Sequence, residues 1–289
     1  MPLLAHEHNW SGGRDRLRAL IYRHLIGRVA FRTICVSESV ERTVLGDGVA
    51  PERVLTIPNA VVPDVAFERA RARELLGIDQ DAPTIGIVAG LRPEKAHEVA
   101  LDALADARLA AAGVRLCVIG TGPREAALRA YATAVGVEDR VDWLGAVDDQ
   151  WDAAISASIS AGGAFSGAFD AALVCSDWEG LPLFSLEAMM AGTPLIATRV
   201  GELERLCRQE AGWLVPTRDS EALADAMWDV VDEPAATARR AARGQHRVRA
   251  QHSFPVLMAR LERLYLEALG EPHATSIGAL SVEADADAA

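Results

Sequence analysis

Two carboxylates are the residues of this sequence best placed to do chemistry. Glu179 and Glu187 lie eight positions apart, on either side of a Gly-Leu-Pro turn. At 3.6 residues per turn, two helical residues eight positions apart point about 80° away from each other, so one unbroken helix would pair them poorly. We therefore predict that Glu179 lies on a loop and that a helix begins between the two acids, with Glu187 just inside it.

A helix that begins between two acids is suited to binding a phosphorylated sugar. Its free N–H groups can hold a phosphate, and the flanking carboxylates can accept hydrogen bonds from hydroxyl groups. Pro182 has no N–H to offer. The remaining backbone donors would be around Leu181, Leu183 and Phe184. A ligand with a diphosphate between two sugars would fit this arrangement.

Positive charge in this chain is carried almost entirely by arginine. Of 29 basic residues only Lys95 is a lysine, and it closes the segment Gly-Leu-Arg-Pro-Glu-Lys after a predicted strand. Arg92 can bind two oxygens at once, whereas Lys95 supplies a compact point charge. A basic pair at the end of a strand, beside a cleft, suits a diphosphate.

A glycine-rich turn follows the next predicted strand. Gly120-Thr121-Gly122-Pro123 resembles a dinucleotide fingerprint, but the third glycine would fall at Glu125. Taken alone, the segment is a tight turn between a strand and a helix, in which Pro123 opens the helix.

The elements that must position these residues alternate along the chain. Apolar strand-like runs occur at 84–89, 114–119, 141–144, 171–175, 194–198 and 213–215. Helical patterns lie between them at 97–112, 124–135, 183–191 and 220–231. Strands that are apolar throughout and separated by helices indicate a parallel sheet covered on both faces. We therefore predict an α/β, Rossmann-like, doubly wound domain that binds ligands at the carboxyl ends of its strands.

The first 60 or so residues have a different pattern. A basic helix is predicted over 14–32, with an apolar stripe that includes Leu20, Leu25 and Val29. Strands are predicted within 2–9, at 33–36 and at 54–58. His6 and His8 lack a third ligand for zinc, and His97 is predicted to be a surface histidine. The basic helix is predicted to be an ordinary domain helix, with contact to an anionic membrane as the alternative.

The segment from Glu179-Gly180-Leu181-Pro182 through Leu186-Glu187-Ala188-Met189 to Gly192-Thr193-Pro194 resembles the E-x7-E signature of retaining nucleotide-sugar glycosyltransferases. These are the group 1, or family four, enzymes of the GT-B fold. The resemblance implies a C-terminal, nucleotide-sugar-binding half preceded by a remnant of the N-terminal half. It implies residues 1–64 for the remnant and crossover, 65–269 for the nucleotide-sugar-binding domain and 270–289 for a disordered tail.

The resemblance also implies an activity: transfer of a hexose from a nucleotide diphosphate to an acceptor hydroxyl, with retention at the anomeric carbon. Glu179 would contact the sugar, Lys95 would neutralise the leaving diphosphate and Glu187 would hold the ribose. The remaining contacts with the donor would come from Arg92, Gly122, Gly180, Leu181, Leu183 and Phe184. In one departure, the arginine of the family's Gly-Arg-Leu-x-x-x-Lys motif is replaced by Gly90, and Arg92 is the nearest guanidinium.

A donor substrate such as a UDP- or GDP-hexose is expected, with no metal and no further cofactor. The acceptor, a saccharide, lipid or small molecule, is not specified by the sequence. The resemblance leaves two alternatives open, because the acceptor binds mostly to the family's N-terminal domain. One is a nucleotide-sugar-binding module without turnover of its own, either truncated or dependent on a separate chain for that domain. The other is a nucleotide-sugar epimerase.

Composition narrows the function classes further. The chain has 289 residues, half of them apolar, and a net charge of −12, which argues against broad nucleic-acid binding. Four scattered cysteines form no metal or redox motif and predict reduced, buried thiols. The longest apolar stretch, 181–198, contains Glu187, two prolines and Gly192 and is not predicted to span a membrane. A cytoplasmic protein is expected, with peripheral contact to a membrane as an option.

Overall fold

The computed structural model describes residues 2–8, 20–62, 67–146 and 165–270. The predicted tail beyond Gly270 and the first part of the predicted basic helix lie outside these residues. The predicted domain boundary near residue 64 also falls between described segments, so the domain limits stay a prediction. Within the described part, the strands form two separate parallel sheets.

The smaller sheet is built from the first part of the chain. Its strands are β1 (Leu4–Glu7), β2 (Arg32–Cys35) and β3 (Val54–Thr56), in the order β1-β2-β3. A π-helical turn (Tyr22–Ile26) and α1 (Gly27–Val29) precede β2, and α2 (Glu38–Gly46) precedes a 3-10 turn (Pro51–Arg53) and β3. Ser37 caps α2 by accepting a hydrogen bond from the Val40 amide at 3.1 Å.

The larger sheet has six parallel strands. They are β4 (Thr84–Val88), β5 (Arg115–Ile119), β6 (Val141–Gly145), β7 (Ala171–Val174), β8 (Leu195–Thr198) and β9 (Trp213–Val215). Their order is β6-β5-β4-β7-β8-β9. Chain order therefore reverses between the adjacent strands β4 and β7, which is the point where doubly wound sheets bind ligands. The predicted α/β, Rossmann-like architecture is confirmed.

Helices cover both faces of this sheet. They are α3 (Arg69–Leu76), α4 (His97–Leu104), α5 (Ala107–Ala111), α6 (Glu125–Ala134), α7 (Leu183–Ala191), α8 (Leu203–Leu206), α9 (Ser220–Asp232), α10 (Pro234–Gln251) and α11 (Phe254–Leu269). One buried cluster lies on each face of the sheet. The last helix returns to the smaller sheet, where Leu264 packs with Ile34 and Ile57. It thereby ties the two sheets together.

Two predicted elements differ in the structure. The helix predicted over 97–112 is two helices, because the Asp106 carboxylate accepts the amides of Arg108 and Leu109 and starts α5 afresh. The predicted basic helix is helical only up to Val29 in its described part, and Arg32 already belongs to β2. Its apolar stripe is exposed: Leu20, Ile21, Leu25 and Val29 all face solvent.

Candidate functional site

The predicted site residues after β4 and β7 meet at the switch point of the larger sheet. The 3-10 turn Pro93–Lys95 follows β4, and the loop with Glu179 follows β7. A small cavity between them is lined by Lys95, Ser176, Glu179, Pro182 and Phe184, together with apolar residues from both strands. Parallel neighbouring strands end at the same edge, so the topology brings these distant segments together.

An ion pair joins Lys95 and Glu179, which both line this cavity. The Lys95 ammonium donates to the Glu179 carboxylate, and the side chains are 24 % and 8 % exposed, respectively. The Ser176 hydroxyl donates to the same carboxylate oxygen, Oε1, at 2.6 Å. A cation and an acid of low exposure therefore share one pocket, where they can act on charged and hydroxyl groups of a ligand.

Two further hydrogen bonds fix the turn that carries Lys95. The Cys175 thiol donates to the Lys95 carbonyl at 3.2 Å, and the Asp177 amide donates to the Glu94 carbonyl at 2.8 Å. Burial raises the pKa of Cys175 to about 12, so the thiol stays protonated and remains a donor at neutral pH. The two loops are therefore attached through their backbones as well as through the ion pair.

The predicted helix between the acids is present as α7, with the bounds expected from the sequence. Pro182 is its N-cap residue and provides no side-chain cap, so the first amides of the helix, at Leu183 and Phe184, face no capping group. Glu187 lies in the second turn and is half-buried, and it does not line the small cavity. The helix start thus offers backbone donors beside the ion pair.

Two hydrogen bonds and one close backbone approach also fix the loop from Glu179 to Leu181. The Glu202 amide donates to the Gly180 carbonyl at 3.1 Å, and the Asn59 side chain donates to the Leu181 carbonyl at 3.2 Å. A Cβ at Gly201 would lie 2.2 Å from the Glu179 carbonyl oxygen. Only a glycine allows the backbone to pass this close beneath the loop.

Contacts with the smaller sheet complete this support. The Glu202 carboxylate accepts the Glu38 amide at 2.8 Å, at the start of α2, and Arg205 pairs with the Glu38 side chain. Burial raises the pKa of the Glu202 carboxyl, against the lowering effect of the bond from the Glu38 amide. Gly180 itself packs close to the His8 carbonyl and Ser37. The loop from Glu179 to Leu181 is therefore in contact with both parts of the molecule.

Of the predicted site residues, Lys95, Glu179 and Phe184 line the cavity. The others are not among its lining residues: Arg92, Gly122, Gly180, Leu181, Leu183 and Glu187. Arg92 is exposed at the start of the 3-10 turn, and the described residues provide its side chain with no ion pair. A Cβ at Gly122 would lie 2.4 Å from the Leu91 carbonyl oxygen, so this glycine is required by the close approach of two loops. This close approach explains the glycine by the structure of the Gly120–Pro123 turn alone. Contact of Gly122 with a nucleotide stays a prediction.

His97 is not a surface residue, as the sequence had suggested. It is buried in the first turn of α4, and neither ring nitrogen finds a hydrogen-bond partner in the described structure. Burial lowers the pKa of His97 to about 4, so the ring is neutral at pH 7. The prediction failed because a position in the first turn of a helix does not reveal which face of that helix meets the sheet.

The four cysteines are buried and free, as predicted. Within the described ranges, no group of three or more His, Cys, Asp or Glu side chains is arranged to hold a metal. No described helix has both the length and the apolar character required to cross a bilayer.

Comparison with known proteins defines the family. The model of the glycosyl transferases group 1 family matches residues 68–247, and the chain belongs to this family. Among curated relatives, the phosphatidyl-myo-inositol mannosyltransferase of Mycobacterium leprae is 29 % identical over 84 % of this chain. The D-inositol 3-phosphate glycosyltransferase of Rhodococcus opacus is 32 % identical over 71 %. The chain spans 60 % and 46 % of their respective lengths.

Solved structures show the same fold. The Anabaena protein HepE, crystallised with UDP and glucose, superposes with a TM-score of 0.80 at 20 % identity, over 92 % of this chain and 72 % of HepE. Sucrose-phosphate synthase from Thermosynechococcus elongatus gives a TM-score of 0.76 at 24 % identity, over 92 % and 68 % of the two chains. The GT-B architecture expected from the resemblance is thereby confirmed.

Proposed function

We propose that this chain binds a nucleoside diphosphate hexose at the switch-point cavity and serves hexose transfer to an acceptor hydroxyl with retention of anomeric configuration. The observation that carries the proposal is the Lys95–Glu179 ion pair beside the uncapped start of α7. Membership of the group 1 glycosyl transferases supports a nucleotide-sugar donor, and so does the likeness to HepE, which was crystallised with UDP and glucose.

The roles follow from charge. In transfer, the bond between the anomeric carbon and the diphosphate breaks, and negative charge builds up on the leaving phosphate oxygen. The α7 amides, the Lys95 ammonium and, from the rim, the Arg92 guanidinium would stabilise that charge, with Lys95 exchanging its contact with Glu179 for one with the phosphate. Glu179 would accept a hydrogen bond from a sugar hydroxyl, and Glu187, deeper in the helix, would bind the ribose.

The backbone around the helix start would complete the donor site. The segment from Gly180 through Leu181 to Leu183 and Phe184 would surround the diphosphate, and Gly122 would lie beside the nucleotide. The curated relatives include a phosphatidyl-myo-inositol mannosyltransferase and an inositol 3-phosphate glycosyltransferase. We therefore propose a hydroxyl of a saccharide, a lipid-linked polyol or a small molecule as acceptor, and peripheral contact with a membrane in the lipid-linked case.

Calorimetry with the full chain tests the division of roles. UDP, GDP and ADP are titrated to millimolar concentration, followed by UDP-glucose and GDP-mannose. Glu187→Ala should weaken binding of the free nucleotide about tenfold, because a charge-assisted hydrogen bond is lost. Glu179→Ala should not weaken nucleotide binding, because it frees the Lys95 ammonium, and it should raise the ratio of the nucleotide-sugar Kd to the nucleotide Kd. Glu204→Ala, at an exposed carboxylate, is the matched control.

Two results would reject the proposal. The first is wild-type protein that binds none of the three nucleotides. The second is an equal loss of free-nucleotide binding in the Glu179 and Glu187 variants, which would contradict the division of roles.

A binding module without turnover is the second candidate, because the residues that line the cavity are the ones that this proposal assigns to the donor. In that case a separate chain would supply the acceptor site. An assay for hexose release from the donor distinguishes the two: the module binds donor but leaves it intact with and without acceptors.

A further inference from the structure

We infer that Ser176 is a positioning residue that sets which oxygen of Glu179 faces the donor sugar. This inference rests on the proposed function and adds a residue to it. Ser176 directly follows Cys175 at the end of β7 and is 2 % exposed. The sequence pattern did not point to Ser176. Its partner is Glu179, a side chain that the pattern assigned to ligand binding.

Both donors that reach the Glu179 carboxylate bind the same oxygen. The Ser176 hydroxyl and the Lys95 ammonium each donate to Oε1. Among the described residues, Oε2 receives no hydrogen bond. A carboxylate has about four acceptor positions, and this arrangement uses only those of Oε1. Oε2 is therefore the oxygen left to accept a sugar hydroxyl.

Ser176 is itself held firmly. The Thr198 hydroxyl, at the end of β8, donates to the Ser176 carbonyl at 2.6 Å, and Thr198 is buried. The Ser176 backbone is thus fixed by the neighbouring strand, and its hydroxyl transmits that position to Glu179. A rigid support of this kind holds a ligand-binding side chain in its productive rotamer.

Ser176 becomes more important once donor is bound. In the empty site Lys95 holds Glu179 in place, but a diphosphate would compete for the same ammonium. When Lys95 turns to the phosphate, the Ser176 hydroxyl is the remaining described donor on Oε1. The Glu179 carboxylate would therefore keep its orientation in the complex through Ser176 alone.

Calorimetry on the full-length chain tests this assignment with UDP, GDP, UDP-glucose and GDP-mannose. Ser176→Ala should leave the nucleotide Kd within twofold of wild type and raise the ratio of nucleotide-sugar Kd to nucleotide Kd about tenfold. Thr193→Val is the matched control, because it removes another buried hydroxyl, one that donates to the Ser166 carbonyl at 2.8 Å. That control should leave the ratio unchanged.

A second variant separates hydrogen bonding from packing. Ser176→Cys keeps the shape of the side chain but offers only a weak S–H donor. We expect its Kd ratio to stay close to that of Ser176→Ala. Full recovery of the wild-type ratio in Ser176→Cys would show that only volume matters and would overturn the inference.

The outcomes separate the two proposals. Wild-type protein without nucleotide binding overturns the proposed function and this inference with it. A ratio that responds to Glu179→Ala and not to Ser176→Ala overturns the inference alone.

Discussion

The two sheets of this protein differ in how completely they bury their own residues. The six-stranded sheet has apolar clusters on both faces, and Leu116 on β5 is 1 % exposed. The three-stranded sheet is bordered by a helical segment whose Leu25 is 59 % exposed. The residues of the proposed donor site follow the same division, since Lys95 and Glu179 both extend from the larger sheet. The smaller sheet contributes support, through Asn59 and Glu38.

This difference shows that the larger sheet provides the rigidity of the candidate site. Both loops that carry the ion pair start from strands buried on two faces, and Cys175 joins them through the Lys95 carbonyl. A site built on such strands holds its geometry with little help from elsewhere. Among the described contacts, the smaller sheet and its flanking segments reach the site through the loop after Glu179. Substitutions in the two regions should therefore differ strongly in their effects.

The largest effect is expected from truncating the core of the larger sheet. Leu116→Ala should lower the free energy of unfolding by about 2–5 kcal/mol, because it leaves a cavity in a packed interior. Leu25→Ala, the same change at the exposed helical segment, should change it by less than about 0.5 kcal/mol. Urea denaturation of both variants measures this difference. Equal losses would show that the exposed segment is packed in solution.

A pair of glycine substitutions should give an intermediate effect. A Cβ at Gly122 would meet the Leu91 backbone, so Gly122→Ala should cost about 1–3 kcal/mol and displace the Lys95 turn. Gly46→Ala, at the end of α2, meets nothing within 4 Å and should stabilise the protein by about 0.5–1 kcal/mol. Thermal unfolding measures both the loss of stability in Gly122→Ala and the gain in Gly46→Ala. A stabilising Gly122→Ala would contradict the close approach of the two loops.

The smallest effect concerns the junction between the sheets. The pKa of Glu202 is raised, so the folded state binds its proton more tightly than the unfolded state does. This carboxyl therefore contributes stability below the unfolded pKa of about 4.3, and that contribution is lost as the pH rises through the folded pKa.

Glu202→Gln can still accept the Glu38 amide and does not titrate. Between pH 4 and pH 7 it should therefore gain stability relative to wild type, by less than about 1 kcal/mol. Glu204→Gln, at an exposed carboxylate of the same region, should follow wild type. Unfolding curves at several pH values provide the comparison. A relative loss of stability in Glu202→Gln as the pH rises would contradict the direction of the shift.

The sequence predicted the larger sheet well because its strands are short, apolar and separated by amphipathic helices. It also predicted that Lys95 and Glu179 lie at the same edge of the sheet, since parallel strands end at a common edge. Local patterns could not show contacts between distant segments. The role of Ser176 on Glu179, the glycine requirement at Gly201 and the burial of His97 all depend on tertiary packing.

The single lysine allows nucleotide binding beside Lys95 to be tested directly. Reductive methylation with ¹³C-formaldehyde places one labelled side chain in the whole protein, at Lys95, beside a labelled N-terminal amine as an internal reference. We predict that UDP or GDP shifts the ¹³C resonance of the Lys95 dimethylamine in a saturable titration and leaves the N-terminal resonance in place. Nucleotide binding detected by calorimetry without any movement of the Lys95 signal would contradict it.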